Sequence, residues 1–110
     1  MLAGTCGEGA WRRERDREAL TRTAAEAARG RLQVALQVTD NSAARILENM
    51  DLAAKAGADI AVIAPPYFVA NATPRNILKI YLEAIRKSPL PVGIYDRGQF
   101  GAVFAVSYTP

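Results

Sequence analysis

Three short apolar runs at nearly equal intervals constrain this chain more than any other feature. They are Leu32–Val38, Ile60–Ala64 and Pro91–Tyr95. Val34 to Ala61 is 27 residues, and Ala61 to Gly93 is 32. Each interval is long enough for one helix and its turns. Each therefore fits a strand, a right-handed crossover helix and a parallel strand. The middle run is apolar throughout, as expected of a strand covered on both faces.

The segments between the runs carry helical spacing. The first helix is predicted over about Arg13 to Ala28, with Ala19, Leu20, Thr23, Ala24, Ala27 and Ala28 sharing one face. Gly30 is placed to stop it, with Arg29 near its negative end. Thr39-Asp40-Asn41-Ser42 reads as a turn in which Asn41 or Ser42 caps the second helix. That helix has Ile46, Met50, Ala53, Ala54 and Gly57 on one side and ends at Ala56-Gly57-Ala58. Pro65-Pro66 terminates the middle strand. Thr73-Pro74 opens the third helix, with threonine as cap and proline in the first turn. Ile77, Leu78, Tyr81, Leu82 and Ile85 form its stripe, and Ser88-Pro89 ends it. The order α, β, α, β, α, β suits either a Rossmann-like open sheet or a barrel, and local pattern does not choose between them.

Composition narrows the chemistry. The 110 residues contain no histidine and a single cysteine, Cys6. A zinc site of the usual Cys/His type is excluded. So is a Ser-His or Cys-His nucleophile pair, because the base is missing. No intrachain disulfide can form. The net charge is a modest +3. The one basic cluster, Trp11 to Glu18, alternates acids with its bases, which predicts a solvated helix face with internal ion pairs rather than a nucleic-acid footprint. Neither a membrane span nor a secretory leader is legible, so no membrane partner and a cytoplasmic location are expected.

Several segments resemble one family, in order and at family-like spacing over about residues 3–97. Gly4-Thr5-Cys6-Gly7-Glu8 is similar to the Gly-Thr-Thr-Gly-Glu loop of the dihydrodipicolinate synthase and N-acetylneuraminate lyase family. Gly57-Ala58-Asp59, then Pro65-Pro66-Tyr67-Phe68, resemble its Gly-Ala-Asp and Pro-Tyr-Tyr segments. Leu90-Pro91-Val92-Gly93-Ile94-Tyr95-Asp96 resembles its Leu-Pro-Ile-x-x-Tyr-Asn segment. The resemblance implies an α/β chain that is an incomplete (β/α)8 (TIM) barrel covering about strands three to five. It also implies pyruvate-dependent aldolase chemistry through a Schiff base, without a cofactor, in homo-oligomers. The partner implied is pyruvate or a related 2-oxo acid.

The resemblance also assigns residues. Tyr95 would be the tyrosine that shuttles protons to the substrate, and Thr5 the relay hydroxyl. Thr5, Cys6 and Gly7 would hold the pyruvate carboxylate, with Cys6 a weaker donor than the usual threonine. Tyr67 and Phe68 would be interface aromatics, and Phe68 lacks the hydroxyl that the family supplies across a dimer. Read without the family, the glycine loop is an ordinary tight turn and a strand-end tyrosine is ordinary rim packing.

A Schiff-base aldolase needs a lysine at the inner end of a strand. Lys55, Lys79 and Lys87 are the three lysines, and all fall on the predicted helices or their ends. The family lysine lies one βα unit after the tyrosine, beyond Pro110. Residues 1–98 therefore read as a partial barrel domain and 99–110 as a tail that departs from the family pattern. Two functions stay open at this point. One is a carbon–carbon lyase of the dihydrodipicolinate synthase type, inactive as this chain alone. The other is a non-catalytic α/β piece that binds a small carboxylate or a partner chain.

Overall fold

The computed structural model describes residues 1–2, 13–64 and 73–95. Thr5, Cys6, Gly7, Tyr67 and Phe68, and the tail 99–110, lie outside the described residues. The elements run α1 (Glu14–Ala28), β1 (Ala35–Gln37), α2 (Ala43–Ala56), β2 (Ile60–Ile63), α3 (Pro74–Lys87) and β3 (Val92–Ile94). The strands form one parallel sheet in the order β1-β2-β3. Leu2 adds a parallel bridge on the free side of β1, donating to Ala35 O and accepting from Gln37 N.

Strand register sorts the side chains. Leu36 pairs with Ala61, and Ile63 with Ile94. Leu36, Val38, Ala61 and Ile63 join Ile46, Met50, Ala53, Ile77, Tyr81 and Ala84 in the core between sheet and helices. The alternate residues Ile60, Val62 and Gly93 share the other face, where a Cβ on Gly93 would meet the Val62 and Ile60 methyls at 3.8 and 4.0 Å. The sheet thus has one helix-covered face and one face turned away from the helices. Ile46, Met50 and Ile63 are wholly buried. Each such side chain contributes roughly 1.5–3 kcal/mol by leaving water.

The helix ends follow local chemistry. Ser42 caps α2, its hydroxyl accepting from Arg45 N, and Thr73 caps α3, accepting from Asn76 N, with Pro74 in the first turn. Gly57 ends α2 at φ 101°, a left-handed conformation that costs any other residue. A Cβ there would also sit 2.9 Å from the Cβ of Ala25, so α1 and α2 approach closely at this glycine.

Several expectations need correction. The predicted face of α1 is not its buried face. Thr21 is the residue of α1 that is buried, while Ala19, Leu20, Thr23 and Ala27 are exposed. Alanines surround this helix, so the pattern carried no unique stripe. Arg29, not Gly30, is the first left-handed residue after α1. Arg31 reaches back and donates to the carbonyls of Ala27 and Ala28. The first strand is also shorter than Leu32–Val38, and Leu32 is 73% exposed. Its start is set by Asp59, whose carboxylate accepts from Val34 N at 2.8 Å while its own N–H donates to Val34 O. On α2 the polar Asn49 lies within the buried stripe, and Gly57 is exposed.

Candidate functional site

In parallel βα structures the functional end is where strands run out toward their helices. Here that end comprises Val38–Asp40 after β1, Ala64 after β2 and Tyr95 after β3. The register Ile63 with Ile94, carried one step on, sets Ala64 beside Tyr95. Tyr95 N donates to Ile63 O at 2.8 Å, and the residue is 40% exposed. By alternation, Tyr95 shares with Gly93 the face away from the helices. Of the residues singled out in the sequence as a site, this is the one among the described residues.

The turn after β1 holds a polar network that the sequence reading treated only as a turn. Thr39 Oγ1 accepts from Ala64 N at 2.9 Å. Asn49 reaches from α2 and donates to Val38 O at 3.1 Å and to an Asp40 oxygen at 3.3 Å. The other Asp40 oxygen accepts from Asn41 N and from Arg45 Nε, both at 2.8 Å. Arg17 of α1 closes the set by donating to Asn49 Oδ1 at 3.4 Å. Thr39 and Asn49 are both buried. Burial works against the Asp40 charge, but the bonds from Arg45, Asn41 and Asn49 outweigh it and hold the carboxyl below its usual value. Asp40 in turn raises the Arg45 guanidinium. One signal could have found Asn49 in advance, since it is an amide set inside the stripe Ile46, Met50, Ala53.

The lysines lie elsewhere. Lys55 is exposed on α2, and Lys79 and Lys87 are exposed on α3. Lys79 and Lys87 border a groove on the outer side of α3 with Arg75, Arg86, Leu78 and Leu82. Within the basic cluster Arg13 pairs with Asp16 at 3.1 Å, while Glu18 pairs with Arg22 beyond it at 3.0 Å. Arg17 departs from that expectation by turning inward to Asn49. Among the described residues no helix is long and apolar enough to cross a membrane.

Three parallel strands in sequence order, with α2 after β1, α3 after β2 and each helix packed on the next, form an arc of a (β/α)8 barrel. Known structures agree. Dihydrodipicolinate synthase from Bacteroides thetaiotaomicron is 30% identical with a TM-score of 0.75, covering 91% of this chain and 33% of that one. YagE, a prophage protein of the dihydrodipicolinic acid synthase family from E. coli K12 solved in complex with pyruvate, is 24% identical with a TM-score of 0.79, covering 92% and 34%. Among curated relatives, the 4-hydroxy-tetrahydrodipicolinate synthase of Exiguobacterium sibiricum is 31% identical over 97 residues, which is 87% of this chain and 32% of the relative. That of Anaeromyxobacter sp. is 31% identical over 93 residues, 84% and 31%. The model of the dihydrodipicolinate synthetase family matches residues 1–106, and the chain belongs to that family. It spans about a third of the length of the relatives it matches.

Proposed function

We propose that this chain is the segment of a pyruvate-dependent carbon–carbon lyase that grips the carboxylate of a 2-oxo acid and presents a proton-carrying tyrosine. The observation that carries the reading is Tyr95, half-exposed at the carboxyl end of β3 on the face of the sheet turned away from the described helices. A phenol at a barrel mouth can give and take a proton from a bound substrate. Thr5 would relay that proton. Thr5, Cys6 and Gly7 would hold the carboxylate, with Gly7 letting the backbone approach the anion. Support comes from relatives named 4-hydroxy-tetrahydrodipicolinate synthase and from a family member solved with pyruvate.

In this reading the barrel portion is 1–98, and Tyr67 and Phe68 face a partner copy in a cytoplasmic homo-oligomer. Phe68 contributes no hydroxyl to a relay. Covalent catalysis would need a lysine on the inner face, and the three lysines are all on helices. The 110-residue chain by itself therefore binds the 2-oxo acid without forming a Schiff base. Pyruvate titration followed by amide NMR tests this. Saturable shifts at Tyr95 and Ala64 are expected, and Thr5→Val is expected to abolish them. The reading fails if the shifts are absent or scattered. Borohydride treatment with pyruvate is expected to leave the mass unchanged, and an adduct on Lys55, Lys79 or Lys87 would overturn the non-covalent part.

A further inference from the structure

A parallel ladder continues by strict alternation of donors and acceptors along each strand. Between β1 and β2 the last regular bond runs from Val38 N to Val62 O at 2.9 Å. The next would run from Ala64 N to Val38 O. Neither group makes that bond. Ala64 N donates instead to Thr39 Oγ1, and Val38 O accepts instead from Asn49 Nδ2. Two buried side chains thus replace one backbone bond, one residue past the ends of β1 and β2. All the polar atoms concerned remain satisfied, so the exchange costs little. What changes is geometry, because the end of β2 is referred to a hydroxyl of the β1 turn and not to the β1 backbone.

We propose that Thr39 and Asn49 are positioning residues that end the β1–β2 ladder early and thereby set Ala64 beside Tyr95 at the mouth. Tyr95 is tied to Ile63 O, the carbonyl immediately before Ala64, so a displacement of Ala64 is passed to the tyrosine. The chain leaving Ala64 runs directly to Tyr67 and Phe68. Asn49 is itself held by Arg17 and Asp40, so the clasp is anchored to α1, α2 and the β1 turn together. This assignment rests on the 2-oxo acid reading above. It adds that the fit of the site depends on a hydroxyl that does not touch the ligand.

The experiment uses the 110-residue chain with pyruvate as the probe. Thr39→Val keeps the shape and removes the acceptor, while Thr39→Ser keeps the acceptor. We expect Thr39→Val to weaken pyruvate binding about five-fold, the equivalent of one hydrogen bond's ordering, and Thr39→Ser to bind as the parent does. Amide exchange at Ala64 should accelerate in Thr39→Val, while exchange at Ala61, which donates to Pro91 O, stays unchanged. Equal binding by Thr39→Val and the parent overturns the proposal and leaves the 2-oxo acid reading intact. Absence of pyruvate binding by the parent overturns both. If Thr39→Val loses its helical circular dichroism, Thr39→Ala takes its place. Should that variant also unfold, the hydroxyl is a folding requirement and the positioning role is refuted.

Discussion

Helices α1 and α2 pack against each other, yet they are held in the fold by different means. Helix α2 buries Ala43, Ile46, Asn49, Met50, Ala53 and Ala56, a continuous stripe with one amide in it. Helix α1 buries Thr21, whose hydroxyl donates to Arg17 O within the same helix. Its half-buried residues include Arg17 and Glu18, whose charged ends reach Asn49 and Arg22. The stripe makes α2 part of the core. Helix α1 lies on the core, held by the close approach at Gly57 and by the Arg17–Asn49 bond. One helix is fixed by area removed from water and the other by fit at a few points.

That contrast can be broken most directly in the core. Met50→Ala should cost about 2–5 kcal/mol by cavity formation, whereas Leu20→Ala on α1 should stay within about 0.5 kcal/mol. Urea denaturation of both variants checks this, and equal costs would mean that α1 carries as much of the core as α2. A smaller effect is expected at the contact between the helices. Gly57→Ala should cost roughly 1–2 kcal/mol for the left-handed backbone, and somewhat more for the approach to Ala25. Replacing Ala25 by glycine in that variant should recover only the second part, which a thermal melt of the double variant can resolve.

The third effect is pH-dependent. The Asp40 carboxyl is held below its ordinary value of 3.8, so the folded state prefers the charged form. Its contribution is complete above the unfolded value near 3.8 and is lost as pH falls through the lower folded value. Asp40→Asn should therefore flatten the acid limb of stability below about pH 4. The amide retains one acceptor for Arg45, so the loss at neutral pH should be about 1 kcal/mol. A parallel acid limb in the variant would assign the acid sensitivity to other carboxylates. The smallest effect is on the outer side of α1. Arg22→Ala breaks the exposed pair with Glu18 and should cost about 0.3–0.5 kcal/mol, a difference that 1 M salt should erase.

The candidate site was partly legible in the sequence. A motif singles out Tyr95, and the structure gives its neighbours, Ile63 and Ala64. Thr39 and Asn49 were not identified. Thr39 lay inside a turn signal of Thr, Asp, Asn and Ser, where any of the four hydroxyls, amides or carboxylates serves the turn equally well. Its actual partner, the N–H of Ala64, is 25 residues away. No local pattern encodes such a pairing, because it exists only after β1 and β2 have taken their register.

By itself the sequence determined the number and order of elements and most of their ends. Those features depend on short-range physics: apolar period, a serine or threonine at a helix start, proline in the first turn, glycine where φ must be positive. Ser42, Thr73-Pro74 and Gly57 are cases in point. The tertiary structure decided which side of α1 faces inward, how short the strands are, and where the ladder gives way to side chains. These depend on what lies opposite. An alanine-rich helix offers several equivalent faces until Gly57 and Asn49 of α2 select one. A run such as Leu32–Val38 can pair only where Asp59 and β2 stand beside it to receive its hydrogen bonds.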